Sequence, residues 1–327
     1  MERRRTMDQI SDTVMNQRFK PLRSQAGFTL LELLVVVAVL AIIAGGLLVS
    51  YDGLEAKSAK GQATFNLAAV DKGIRTFKVV SGSYPTELDG LLLNNTATVT
   101  CAGTSCTAAT GGFYTGLHAN LQGADGDALT ADNKLGFRAL TAGEASALIN
   151  AGISNVRMID NTLGNTVGTI PNRDFDDAPR GKGISVNIAS GVVVPVVESE
   201  GLGAADAPAG CVAPFSSACN RLNDIAGLNP AQGHVVVAFG VGNNSSIVSD
   251  SGGGNSANFA EAPFYTDVAK NQYGRFLALF HVASDLNDDG DFADAGETFS
   301  SARFIGVIDS KGDWLDEEYA EFTGQKT

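Results

Sequence analysis

Three groups of residues in this 327-residue chain have the types and spacing to do chemistry. The first is the run from Asp285 to Glu297, which reads DLNDDGDFADAGE. Oxygen donors stand at its first, third and fifth positions and Gly290 at its sixth, where a loop wrapping a cation must turn sharply. Asp285, Asn287, Asp289 and Asp291 (through its carbonyl) are the expected ligands, with Asp294 or Glu297 closing the shell. Such hard oxygens suit calcium, which would neutralise acids crowded into one turn. The competing reading is a plain solvated turn, since Asp, Asn and Gly are ordinary turn residues. The second group is four cysteines in two local pairs, Cys101 with Cys106 and Cys211 with Cys219. Neither pair is C-x-x-C and no histidine is near, which argues against zinc. In an oxidising compartment two short-loop disulfides are the expectation from proximity, with crossed pairing left open. The third is a single carboxylate, Glu32, inside an otherwise apolar run from Phe28 to Val49.

No enzyme signature accompanies these groups. There is no nucleophile elbow, phosphate loop, dinucleotide fingerprint or H-E-x-x-H. The histidines, His118, His234 and His281, are far apart in sequence, and the last two lie in apolar strand-like runs. The expectation is therefore a protein that is not an enzyme. Residues 1–27 carry six basic and three acidic groups, so the rest of the chain bears −16 of the net −13. That balance is a poor match for nucleic acid phosphates, and no nucleic acid partner is expected.

The elements that must position these residues follow from periodicity. From Phe28 to Val49 there are about 22 residues, roughly 33 Å of helix, enough to cross a bilayer core. Arg3, Arg4, Arg5, Arg18, Lys20 and Arg23 precede it, which keeps the N-terminus cytoplasmic and exports the remainder. Beyond it Ala63, Leu67, Val70, Ile74 and Phe77 form one helical stripe. One helix over 28–80 is predicted, ended by Gly82 and Pro85. Residues 94–140, rich in Thr, Ala, Gly and Asn, read as a surface insertion with little regular structure. Thr141 and Glu144 form a capping-box pattern opening a helix over Ala142–Ala151, stopped by Gly152. Strands are expected at 156–159, 183–197 (with a turn at Ser190-Gly191), 234–241, 275–282 and 303–308, then a terminal helix at 314–322.

The apolar run has three readings. A secretory signal peptide should have a shorter apolar core and a cleavage site behind it. A plain signal anchor explains the length and charges but not Glu32. The third reading rests on Gly27-Phe28-Thr29-Leu30-Leu31-Glu32, which resembles the processing site of type IV prepilins and type II secretion pseudopilins. The resemblance implies cleavage after Gly27 by prepilin peptidase and N-methylation of Phe28. It also implies assembly through Glu32, whose carboxylate would face the α-ammonium of Phe28 on a neighbouring subunit. Gly82-Ser83-Tyr84-Pro85 is similar to the G-x-Y-P that follows the long helix in many pseudopilins. The sequence departs from many members in having no proline between Phe28 and Tyr84. The D-x-N-x-D-G run resembles isolated calcium loops of exported bacterial proteins, although its closing Glu297 falls one place later than in an EF-hand.

The expected fold is α+β. A long N-terminal helix, membrane-spanning in its first half and amphipathic in its second, packs on an antiparallel β-rich domain. Residues 1–27 are a cleaved leader, 28–80 the helix (28–49 transmembrane) and 81–327 the exported domain. The expected function is a structural subunit of a pilus or secretion pseudopilus. It would sit in the inner membrane before assembly and afterwards in a periplasmic or surface filament with other pilin subunits. The alternatives are a minor pilin or tip adhesin on the same anchor and, more remotely, an anchored periplasmic enzyme.

Overall fold

The first helix, α1 (Leu30–Ser81), runs for 52 residues without a proline, so nothing in its interior removes a backbone donor. The computed structural model describes residues 29–93, 99–102, 105–108, 117–118, 121, 135–159, 183–197, 227–228, 233–248, 259–266, 268–269, 272–287, 292 and 294–324. The chain divides into two compact units, Met1–Leu54 and Glu55–Thr327. The boundary falls inside α1, so the amphipathic half of that helix belongs to the unit that holds the sheet.

In Glu55–Thr327 the predicted stripe is the buried one: Ala63, Leu67, Val70, Ile74 and Phe77 are all at most 5% exposed. Gly73 lies on the same face, where a β-carbon would sit 2.5 Å from the ring of Phe259. The absent side chain therefore seats the helix against that ring. At the exit Gly82 takes φ +78, the left-handed conformation that glycine adopts without strain, and its N–H reaches the Lys78 carbonyl at 3.0 Å. Tyr84 then anchors the exit. Its ring meets Phe280 edge-on at 5.4 Å, and its hydroxyl accepts the Phe304 N–H at 3.3 Å.

The remaining elements are β1 (Leu88–Leu93), β2 (Val99–Ala102), β3 (Ser105–Ala108), β4 (Leu135–Ala139), α2 (Ala142–Ala151), β5 (Asn155–Ile159), β6 (Gly183–Asn187), β7 (Val193–Val197), β8 (His234–Gly240), β9 (Leu277–Ser284), β10 (Thr298–Ile308) and α3 (Leu315–Thr323). The ten strands form one sheet, ordered β2-β3-β4-β7-β8-β1-β5-β6, with β9 on β8 and β10 on β9. All pairs are antiparallel except β1 with β5. β9 pairs along the whole of β8, so β7 (at Val237) and β1 (at Gly240) must share the opposite edge. The sheet divides there.

Both faces of β8 and β9 are covered. Val235, Val237, Phe239, Ala278, Phe280 and Val282 join the α1 stripe and Leu148 of α2 in one core. Val236, Ala238, Leu277 and Leu279 face a second core with Leu91, Leu117, Leu135 and Trp314. Two-sided burial explains why these strands read as unbroken apolar runs rather than alternating ones.

Helix α2 starts as expected. Thr141 and Glu144 form a reciprocal capping box, and Gly152 ends the helix at φ 108. Glu144 is fully buried and also accepts from Arg138, whose Nη2 lies 2.7 Å from Oε1. One expectation is corrected. Residues 94–140 hold three strands of the sheet, and Leu117 and Leu121 are buried. The composition concealed this, because threonine suits a strand as well as a loop. The turn at Ser190-Gly191 exists, but it joins strands that do not pair with each other: β6 pairs with β5, and β7 with β4 and β8.

Candidate functional site

The first turn of α1 is fixed by a reciprocal pair. The Thr29 hydroxyl oxygen accepts the Glu32 N–H at 3.2 Å. Glu32 Oε2 accepts the Thr29 N–H at 2.9 Å and the Thr29 hydroxyl at 3.0 Å. This is a capping box, satisfying two of the donors that every helix start leaves unpaired. The T-x-x-E signal that announces α2 thus occurs twice in the chain, and its copy at Thr29–Glu32 is hidden inside an apolar run. Gly27 and Phe28 lie outside the described residues.

Behind that turn, Leu30–Leu47 is the one helix segment among the described residues long and apolar enough to cross a membrane. Its large side chains are exposed on every face: Leu30, Leu34, Val37, Leu40 and Ile43 are each more than half accessible. Within its own unit it has no preferred side to bury. A helix apolar all round is satisfied only by lipid or by other helices.

The acidic run lies between β9 and β10. Asp285 is 2% exposed and Glu297 1%. Glu297 closes the loop with both oxygens, accepting the Leu286 N–H at 3.1 Å and the Asp294 N–H at 3.0 Å. Asn287 donates to Asp294 Oδ2 at 3.0 Å. The structure thus brings Asp285, Asn287, Asp294 and Glu297 into one loop; Asp289 and Asp291 lie outside the described residues. Glu297 Oε1 and Oε2 and Asp294 Oδ2 each accept one of these bonds, and a carboxylate oxygen can accept two.

Cys101 and Cys106 are direct partners across the β2–β3 ladder. Opposite residues of an antiparallel pair stand about 4.5–5.5 Å apart at Cα, within the range a disulfide spans. Cys211 and Cys219 lie outside the described residues. The β8–β9 pairing brings together two histidines that the sequence separates. Ser284 Oγ stands 2.9 Å from His234 Nδ1 and 3.0 Å from His281 Nε2. Ser284 is 5% exposed and His281 4%, and burial holds the His281 imidazole down at about 4. The three side chains form one internal hydrogen-bond chain across the two strands. A further cluster, Asp309, Asp313 and Glu318, joins the end of β10 to α3 and was not foreseen from sequence.

Comparison with known proteins bears on the first of these features. Residues 22–48 match the family model of the prokaryotic N-terminal methylation motif. The N-terminal segment is similar to that of type IV pilins and secretion pseudopilins. The chain is 35% identical over 72 residues to type II secretion system core protein G of Vibrio cholerae, covering 22% of this chain and 49% of that protein. Core protein G of Aeromonas hydrophila is 33% identical over 69 residues, 21% of this chain and 48% of its own. That of Dickeya chrysanthemi is 33% identical over 69 residues, 21% and 45%. The chain thus spans about half the length of the curated relatives it matches. No solved structure matches it. The match covers Gly27, Phe28, Glu32 and the exposed apolar turns of α1.

Proposed function

We propose that the chain is a structural subunit of a type IV pilus or, closer to the secretion proteins it matches, of a type II secretion pseudopilus. Prepilin peptidase would cut after Gly27 and Phe28 would be methylated, leaving Glu32 as the fifth residue of the mature chain. The observation that carries this reading is that the motif runs into the start of a helix whose apolar side chains are exposed on every side. Inner-membrane lipid covers that helix before assembly, with the N-terminus cytoplasmic, and neighbouring subunits cover it in a periplasmic or surface filament.

Glu32 then has two successive partners. In the single chain Thr29 and the helix N-terminus hold its carboxylate, so it is not stranded when the helix lies in lipid. In the filament the α-ammonium of a neighbouring Phe28 replaces a neutral donor with a charged one, and charge-assisted bonds are roughly twice as strong. The exported unit adds calcium at Asp285–Glu297, with Asp289 and Asp291 completing the shell, and disulfides Cys101–Cys106 and Cys211–Cys219. A specialised subunit or tip binding module is the second reading. It is favoured by the more than three quarters of the chain outside the match, and copy number per filament separates the two.

The experiment compares Glu32→Leu and Glu32→Asp in the membrane fraction and in sheared filaments. Glu32→Leu inserts normally and is depleted from filaments, while Glu32→Asp is intermediate because the charge survives at shorter reach. Equal incorporation of Glu32→Leu would remove the intersubunit pairing and leave Glu32 a helix cap only.

A further inference from the structure

The end of β10 and the start of α3 enclose three acids from a short stretch of chain. Asp309, Asp313 and Glu318 each bring one carboxylate oxygen to within 4.8 Å of the others. Asp309 is fully buried and Glu318 is 1% exposed, while Asp313 is half-buried and forms the side open to water. Asp309 Oδ1 is spoken for, accepting the Lys311 N–H at 2.7 Å and the Asp313 N–H at 2.8 Å. Glu318 Oε1 is also spoken for, accepting the Tyr265 hydroxyl at 2.8 Å. The remaining oxygen of each, Asp309 Oδ2 and Glu318 Oε2, is buried and accepts from no other donor, and the two carboxyl groups stand close enough to share a proton with each other.

Such oxygens are rare because a buried acceptor without a donor costs its full desolvation. Two of them facing one another, with a third carboxylate beside them, cost more, since like charges at that range repel. Three things could resolve this: a protein cation, shared protons, or a bound cation. Lys311 gives Asp309 its backbone N–H and holds its Nζ over the Tyr265 ring, 5.5 Å from the centroid. Arg275 is turned toward Phe264 and the Ala262 carbonyl. The geometry suits the third solution. Oxygens bound to one calcium ion at about 2.3–2.6 Å stand no more than about 5 Å apart, a limit that the three acids already meet.

We propose that Asp309, Asp313 and Glu318 form a site for a hard divalent cation of calcium size, distinct from the Asp285–Glu297 loop. The cation ties α3 to the end of β10. Asp309 supplies its remaining oxygen from the loop, and Glu318 supplies its own from the helix. Asp313 supplies the oxygen nearest water, and water fills the remaining positions. Tyr265 orients Glu318 from outside the shell, as a hydrogen bond to a ligating carboxylate does in metal sites generally. Without the ion the buried acids must hold protons. Burial drives the carboxyl groups of Asp309 and Glu318 upward, Glu318 to about 8.

The chain's only tryptophan, Trp314, follows Asp313 directly and gives the site its own optical reporter. Full-length protein in detergent, stripped of divalent ions, is titrated with terbium, read by luminescence excited through Trp314 and competed with calcium. Melting is followed in calcium and in chelator. The wild type gives a saturable signal displaced by calcium, and its melting temperature rises with calcium. Glu318→Gln keeps the size of the side chain and an acceptor for Tyr265, and Asp313→Asn changes a half-exposed group; both fold. Each weakens terbium affinity by about tenfold or more and flattens the calcium dependence of melting. Asp285→Asn leaves the Trp314-excited signal in place. The proposal is overturned if wild-type terbium affinity survives in Glu318→Gln and Asp313→Asn, or if Asp285→Asn alone abolishes the signal. It is equally overturned if the wild type gives no saturable signal, which makes the cluster a shared-proton pair.

Discussion

Ile74 offers the sharpest test of how α1 contributes to the unit Glu55–Thr327. It is fully buried, in the core that includes Leu67, Val70 and Phe77 from its own helix and Phe239 and Phe280 from the sheet. Truncation to alanine removes three carbons from a site enclosed by helix and strands, which limits its collapse. Core Ile→Ala changes of this kind cost about 2–5 kcal/mol, the lost transfer energy plus the cavity term. At roughly 2–4 °C per kcal/mol, the melting temperature falls by about 4–20 °C. Phe65 is the internal control: it is larger, sits on the same helix and is 73% exposed. Phe65→Ala should stay within about 0.5 kcal/mol of wild type, because surface substitutions away from caps and networks do. The assay is thermal and urea unfolding of full-length protein in detergent, followed by Trp314 fluorescence, which reports the sheet side of the molecule. Equal effects of Ile74→Ala and Phe65→Ala would refute the docking of the stripe, and with it the assignment of the amphipathic half of α1 to this unit.

Gly73→Ala pits two effects against each other. Helix propensity alone favours alanine by about 1 kcal/mol, but its β-carbon would stand 2.5 Å from the Phe259 ring, so net destabilisation is expected in the same unfolding assay. His281 gives a pH signature. Its imidazole is held neutral at about 4 by burial and by His234 and Arg303, while the unfolded chain takes up that proton near 6.5. Its contribution is thus complete above about pH 6.5 and is lost as pH falls toward 4, up to about 3 kcal/mol in all. His281→Gln should show a shallower loss of stability than wild type across that window. Non-reducing peptide mapping should recover Cys101 joined to Cys106; free thiols at both, in protein from the cell envelope, would exclude that bond.

The legible parts of the sequence were the local ones. The α1 stripe, the Gly82 exit, the Thr141–Glu144 box and the apolar runs of β8, β9 and β10 each carry their signal within about a dozen residues. β1 did not read as a strand because Asp89 and Gly90 interrupt its leucines. Its burial depends on Tyr273, far along the chain, whose hydroxyl donates to Asp89 Oδ2 at 2.7 Å. β2 and β3 were lost in a threonine-rich composition shared with loops. The pairing order could not be read at all, because β5 lies beside β1 through a parallel contact and β8 is split between two neighbours. Among the candidate sites, the methylation motif over residues 22–48 was legible because it is local, an acid at a fixed offset inside one apolar run. The Asp309–Asp313–Glu318 cluster was not, because its meaning lies in burial: Asp309 and Glu318 look like surface acids until Tyr265 and the core close over them.

What the chain is when assembled decides whether it is a filament subunit. Intact mass and N-terminal sequencing of protein sheared from the cell surface, or recovered from the envelope as filaments, measure this directly. The expected species begins at Phe28, carries one added methyl group on its amino nitrogen and lacks residues 1–27. Filaments built from chains that retain the leader, or an unprocessed chain found only as a membrane-bound monomer, would contradict it.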